Sequence, residues 1–374
     1  KTVISIAFIA KHKLLTRLSI FTTIYNTIKS LSSQDNDEWD RMTVHCLEDK
    51  RNGEISKKKN MNNTRHSDLC KEFLKASQKG DLERLKDLSS RHNIKDWTTY
   101  RHVVSGDTAL HLAVREGHLL VTQYLCEAWF EPCYKTEVAN KDMKRPLHDA
   151  AQFARYNVLE YLLGLGAAVD PLKRADWTPL MLSCTKTGPE ATRCVHTLLE
   201  HGAASDFKNK DGWTPLMIAC RAGNINAVKI LTEKLPGREA IFSNSKNGRS
   251  PLHVAAFHGH RDIIDFLLSI EPGLINSRDS SGSTPLLESV KSGDLPTVKH
   301  LINYSADFKA VDNVGQNLLH FAAQSGNIDM IKFILENKLA DLDSHATLGI
   351  TPLMLAEKNK QFKAVEVLKS FMKN

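Results

Sequence analysis

ADWTPLMLSC, Ala175 to Cys184, and DGWTPLMIAC, Asp211 to Cys220, are nearly one phrase written twice, thirty-six residues apart. Looser copies run along most of the chain: GDTALHLAV from Gly106, KRPLHDAA from Lys144, GRSPLHVAA from Gly248, GSTPLLESV from Gly282, GQNLLHFAA from Gly315 and GITPLMLAE from Gly349. The leucine after the proline position marks each copy, at Leu110, Leu147, Leu180, Leu216, Leu252, Leu286, Leu319 and Leu353. The steps between them are 37, 33, 36, 36, 34, 33 and 34 residues. A period of that size means a stack of small helical units, each burying its apolar side on its neighbours, in place of a single globular core.

The chemistry inside each copy is that of a helix start. In GITPLMLAE, Gly349 permits a tight turn, Thr351 can cap the first orphan amides, and Pro352 fits the first helical position. Leu353 and Ala356 then face the neighbouring unit, and small alanines let helix pairs approach closely. A second helix follows a short Gly- or Asn-centred turn, as in REGH from Arg115, RAGN, FHGH, KSGD and QSGN. DLCKEFLKASQKGDLERLKDL, from Asp68, has apolar spacing for two helices broken at Gly80 but lacks the TPLH phrase. That suits a terminal unit whose outer side meets water, as does the lysine-rich stretch Ala364 to Phe371 at the other end.

Residues 1–66 do not carry the repeat. Up to Ser33 this extension has basic residues, no acid, and many Ile, Leu, Thr and Ser, a pattern with some likeness to a transit peptide, although it starts without Met and holds one Arg. From Ser32 it turns polar, and an irregular or disordered extension is the expectation. No run of eighteen apolar residues occurs, so no membrane span and no membrane partner are expected. Twelve of the 50 basic and seven of the 43 acidic residues fall in 1–66, leaving 38 against 36 for the repeats. A nearly neutral array argues against nucleic acid as a direct partner. The seven cysteines include no CxxC pair and sit mostly on expected helices, so they read as reduced core thiols of a cytoplasmic or nuclear protein without a metal site.

The eight copies resemble ankyrin repeats, in which a β-turn finger precedes two antiparallel helices. The resemblance implies an all-α, ankyrin-repeat solenoid of about nine repeats of roughly 33–37 residues over 67–374, with capping repeats at both ends. It also implies a monomeric protein-interaction module, not an enzyme. Consistent with that, no Gly-rich phosphate loop, nucleophile elbow or spaced metal ligands are found, and no cofactor is implied.

Four histidines, His111, His148, His253 and His320, fill the last place of TPLH, where the expected role is to lock the turn to the neighbouring finger. His118, His258 and His260, at the turns between helices, take the same structural reading. Trp177 and Trp213 stand directly before the Thr of TPL, on the finger side. They read either as anchors for a partner or as indoles packed on each other across adjacent repeats. Aligned on that Thr position, the residues four places earlier are Lys141, Arg174, Lys210, Lys246 and then Ser280, so four successive fingertips are cationic. Stacked fingers about 10 Å apart lie within about one Debye length of each other. Mutual repulsion is then expected to lower the lysine pKa and free some neutral amine.

A finer resemblance is carried by DLCK, YLCEAW, KRPLHDAA, YLLGLGAAVD, ADWTPLM, EHGA, KNKDGW and PLHVAAFHGH, in that order. These phrases are similar to those of ankyrin proteins that bind the catalytic domain of alanyl-tRNA synthetase and take wrongly activated serine onto lysine side chains. An alanine pocket rejects serine poorly, because serine only adds a hydroxyl, so capture outside that pocket is physically sensible. The resemblance implies Lys210, in KNKDGW, as an acceptor. A second acceptor position falls on Arg174, which stays protonated and is a poor nucleophile, with Lys173 beside it. A third falls in PGREAIFSNSK, where Lys246 is the nearest lysine. Trp177, Trp213, Lys141 and Arg174 are the expected partner contacts. The alternative is a plain adaptor for another acidic protein, in which the same fingertips make only salt bridges.

Overall fold

Threonine and proline start the first helix of each unit as the sequence requires. The hydroxyls of Thr178, Thr214, Thr284 and Thr351 accept from the amides of Met181, Met217, Leu287 and Met354, each at 3.3 Å, and a proline occupies the first turn of all four helices. The structure, a computed structural model, describes residues 66–127, 135–234 and 239–372. It divides into two units, Lys1–Leu69 and Cys70–Asn374. In the first, residues 66–69 are helical; the extension expected over 1–66 otherwise lies outside the described residues.

In the second unit, among the described residues, helical pairs follow one another with no strand between them. A helix ending at residue 79 pairs with Leu82–Arg91. Eight further first helices are Ala109–Glu116, Pro146–Gln152, Pro179–Ser183, Pro215–Ala222, Pro251–Phe257, Pro285–Ser292, Leu318–Ser325 and Pro352–Lys358, and each is followed by a second helix. This is the stack of helical units expected from the period, and the ankyrin-repeat solenoid that the resemblance implies. No helix of the described residues is long and apolar enough to cross a membrane.

The marker leucines from Leu110 to Leu319 are at most 1% exposed, and paired alanines such as Ala150–Ala151, Ala255–Ala256 and Ala322–Ala323 are fully buried between helices. Leu353 departs from the expectation and is only half-buried, and Met354 beside it is 54% exposed. Among the described cysteines, Cys70 is half-buried and the other four lie in the core. Cys126, Cys184, Cys194 and Cys220 are buried free thiols, with burial pushing Cys126, Cys184 and Cys194 up to about 12. Cys46 and Cys133 lie outside the described residues.

Three hydrogen-bond ladders stitch neighbouring repeats. At the fingertips, the amides of Lys141, Arg174, Lys210, Lys246, Ser280, Asn313 and Thr347 each donate to a carbonyl of the preceding fingertip, at 2.8–3.2 Å. The approach is close enough that a Cβ on Gly212 (φ 77°) would lie 2.7 Å from the Lys246 nitrogen. The second ladder is the histidine lock. His111, His148, His253 and His320 donate from Nε2 to the carbonyls of Lys144, Trp177, Ser283 and Ile350 on the next finger, at 2.8, 3.2, 2.9 and 3.0 Å. Their Nδ1 atoms accept the amides of Thr108, Arg145, Ser250 and Asn317, which fixes the proton on Nε2. The third runs at the turn between helices, where Arg155, Asn224 and Asn327 donate to Arg115, Lys186 and Gly293 carbonyls of the preceding repeat; His118 and His260 do the same to Gln78 and Arg221. The structural reading of the histidines therefore holds for those in TPLH, for His118 and for His260.

Candidate functional site

The fingertip ladder brings Lys141, Arg174, Lys210 and Lys246 into one exposed row, as the alignment on the Thr position anticipated. Their side chains are not equivalent. Lys141 donates to the Val103 carbonyl at 2.6 Å, and Arg174 is 3.1 Å from the Asp142 carboxylate on the preceding finger, both groups being well exposed. Lys208, two residues before Lys210, donates to the Asn244 carbonyl at 3.1 Å.

Each finger is shaped by the residue five places before the Thr position. Asn140, Asn209, Asp279 and Asp312 put a side-chain oxygen there that accepts two amides of their own finger; Asn209 takes those of Asp211 and Trp213, each at 2.9 Å. In the finger before Pro179 that place is Lys173, and the tip turns on Ala175 (φ 65°) and Asp176 (φ 59°), two successive non-glycine residues in the left-handed region. Lys173 folds back so that its Nζ lies 5.5 Å from the Trp177 ring centroid. Burial pushes this amine below the ordinary lysine range, with the nearby Lys144 cation second and Asp142 opposing. The depression at Lys173 thus comes from desolvation and from Lys144 at the base of the preceding finger, and not from the neighbouring fingertip cations that the sequence suggested.

Trp177 and Trp213 are half-buried and line one cleft of about 370 Å³ with Thr185, Asn209, Asp211, Ile218, Arg221 and Ala222. Each ring carries a cation over its face: Lys173 over Trp177, and the Arg221 guanidinium 5.8 Å from the Trp213 centroid. Arg221 was not singled out from the sequence. The signal that could have found it is its place five residues after the marker Leu216, equivalent to Arg115 after Leu110 and Lys291 after Leu286.

On either side of the cleft the equivalent cations are spent on buried carboxylates. Arg115 bridges Asp107 and Asp149 at 3.0 and 3.3 Å, and Lys144 lies 2.5 Å from Asp149. Glu288, fully buried, takes Arg249 at 2.6 Å and Lys291 at 2.9 Å. Asp107, His111 and Asp149 have ligand atoms within 4.8 Å of one another, a spacing a metal ion could use. Both carboxylates there are already answered by Arg115 and Lys144, and both nitrogens of His111 are committed to the lock, so the cluster is a charge-balanced pillar between repeats.

Comparison with known proteins adds to this geometry. The family described as ankyrin repeats (3 copies) matches residues 73–173, 165–240, 235–312 and 286–373. Over 85 residues, 23% of this chain and 3% of the relative, the sequence is 33% identical to Neurogenic locus notch homolog protein 1 of Mus musculus. It is 31% identical over 106 residues to a putative ankyrin repeat protein of Rickettsia felis, covering 28% of this chain and 35% of that one. It is 30% identical over 103 residues to Putative glutaminase 2 of Caenorhabditis elegans, covering 28% and 17%. The chain thus spans about a third or less of the length of these curated relatives.

Proposed function

We propose that this chain, which belongs to the ankyrin-repeat family, docks an acidic protein surface on the finger side of residues 141–249. Ankyrin repeats imply interaction with proteins in general. The observation that carries the choice of face is the fingertip ladder, which holds four basic residues in one exposed row beside a cleft floored by two tryptophans. Rim charges of this kind steer encounter and set register, while half-buried aromatic rings supply the contact energy.

The partner we propose is the catalytic domain of alanyl-tRNA synthetase, in the cytoplasm and nucleus, with the chain acting as a monomer. This rests on the ordered phrases that resemble ankyrin repeat domain-containing protein 16, of which ADWTPLM and KNKDGW form the two fingers of the cleft. In that reading a neutral lysine amine attacks the carbonyl carbon of seryl-adenylate, an amide forms, AMP leaves, and the amine proton passes to solvent. Lys210 is the acceptor, with Lys173 and Lys246 as auxiliaries. Arg174, held by Asp142, stays unmodified. The chain is consumed by the capture and does not turn over, so it is no enzyme.

The test is a pull-down of the synthetase catalytic domain by the full chain, followed by peptide mass spectrometry after incubation with serine and ATP. Retained binding with loss of the seryl mass in Lys210→Arg is the expected result. A complex that forms while every lysine of the row stays bare removes the acceptor role and leaves the adaptor for an acidic protein. Absence of the complex removes the synthetase as partner.

A further inference from the structure

Charge and apolar lining meet in the cleft in a way they do nowhere along its flanks. Two places after the marker leucine, the first helices carry Asp149 in one flanking repeat and Glu288 in the other, and these acids absorb the cations around them. Between those repeats the same place is Leu182, Ile218 and Val254, all buried. Arg221 therefore projects beside Trp213 with no carboxylate of the described residues paired to it. Its guanidinium is exposed, while Ile218 and the two indoles give the cleft an apolar floor and wall. The opening is half-covered, and its volume of about 370 Å³ suits one large side chain with its flanking backbone. Asp211 and Arg221 are the charged residues of the lining; Lys173 lies over Trp177, and the fingertip ladder sets Lys210 and Lys246 on the adjoining fingers.

We propose that the cleft seats a short acidic segment of a partner protein, with one large apolar side chain entering between Trp177 and Trp213 and an adjacent carboxylate binding Arg221 in the forked geometry that guanidinium favours. The inference rests on the reading that the finger side is the docking face, and it specifies the chemistry that face selects. An aromatic or long aliphatic residue gains by displacing water from two indole faces, and the carboxylate replaces water on a cation that no buried acid answers. Acid alone would sit at the fingertips without entering; an apolar residue alone would leave Arg221 unsatisfied.

The probe is an acetylated and amidated nine-residue peptide, Ser-Gly-Glu-Glu-Phe-Glu-Glu-Gly-Ser, titrated into the full chain while tryptophan emission is recorded. A saturable change is expected, with the dissociation constant rising at least tenfold in Arg221→Gln, in Trp213→Leu, and when Gly replaces Phe in the peptide. Trp177→Leu supplies a second aromatic variant should Trp213→Leu lose its helical circular dichroism. Equal affinity for the Phe and Gly peptides, unchanged affinity in Arg221→Gln, or no saturation would overturn the proposal. If the peptide fails while Lys210→Glu and Lys246→Glu still abolish capture of the synthetase domain, the cleft inference falls and the docking face stands. If the peptide binds as expected and the synthetase domain is not captured, the cleft stands and the identity of the partner falls.

Discussion

The histidine locks make the array sensitive to mild acid, and His148 allows the size of the effect to be worked out. Burial removes this ring from water, and its two nitrogens are used by the Arg145 amide and the Trp177 carbonyl in a way that only the neutral ring satisfies. Burial accordingly pushes its pKa down to about 4, the hydrogen bond to Trp177 opposing. In the unfolded chain the same ring titrates near 6.5, so between the two values the unfolded state binds more protons. The neutral lock is thus fully present above pH ~6.5 and is lost as pH falls towards 4. Between pH 8 and pH 5 the linkage amounts to about 2 kcal/mol from this one residue. His111, His253 and His320 are shifted the same way by burial and add to it. The assay is urea unfolding followed by tryptophan emission and helical circular dichroism, for the natural chain and for His148→Gln, which bonds but does not titrate. The stability advantage of the natural chain over the variant should shrink by about 2 kcal/mol from pH 8 to pH 5. A difference independent of pH would refute the assignment of a neutral, proton-excluding lock.

Other outcomes are expected from packing, backbone and surface. Leu216→Ala should cost about 2–5 kcal/mol of unfolding free energy, because Leu216 is buried between repeats, whereas half-buried Leu353→Ala should cost only about 1 kcal/mol. Ala175→Gly should raise the urea midpoint, relieving a left-handed alanine worth about 1–2 kcal/mol against a glycine entropy cost of about 0.5–1 kcal/mol. Trp177→Ala and Trp213→Ala should each weaken partner binding by about 1 kcal/mol or more, measured by calorimetry, and unchanged affinity in both folded variants would move the docking face elsewhere. Raising salt from 50 to 500 mM should weaken the complex, since the fingertip row is exposed and screened.

Much of the fold was legible because each repeat writes its own helix signals. Thr178 with Pro179, or Thr214 with Pro215, caps and starts a helix whatever its neighbours do, and the period places the next start. Histidine at the third helical position also follows from local chemistry, since only its Nδ1 bond is made within the repeat. What the sequence could not supply was anything decided between repeats. Arg174 and Asp142 sit thirty-two residues apart, and their pairing appears only once the ladder sets the fingers in register. Arg221 looks like the ordinary last-turn cation Arg115 until the partners are compared, when one proves spent on Asp149 and the other lies over Trp213. Lys173 read as a neighbour of the fingertip row, yet it occupies the place where other fingers carry an amide-accepting Asn or Asp, and its burial follows from that place. The two tryptophans are readable in the sequence as an anchor or as a stacked pair; that each ring carries a cation of its own chain and that both line one cleft follows only from the packing of repeats.

The locks and the cleft also divide the array between them. The histidine place holds Met181 and Met217 in the two repeats that carry the tryptophans, and both methionines are fully buried. The finger bearing Trp213 is therefore joined to its predecessor by the Lys210 amide bonding the Ala175 carbonyl, without an imidazole bridge to the Trp213 carbonyl. The Trp177 finger, which forms the other wall, is tied down by His148. Towards its predecessor the Trp177 finger is thus held by the Arg174 amide and His148, and the Trp213 finger by the Lys210 amide alone; towards its successor the Trp213 finger is bonded through the Lys246 amide and Lys208. In the proposed complex the segment enters between Trp177, bridged to the preceding repeat by His148, and Trp213, which lacks that bridge, while ion pairs at Asp149 and Glu288 tie together the flanking repeats.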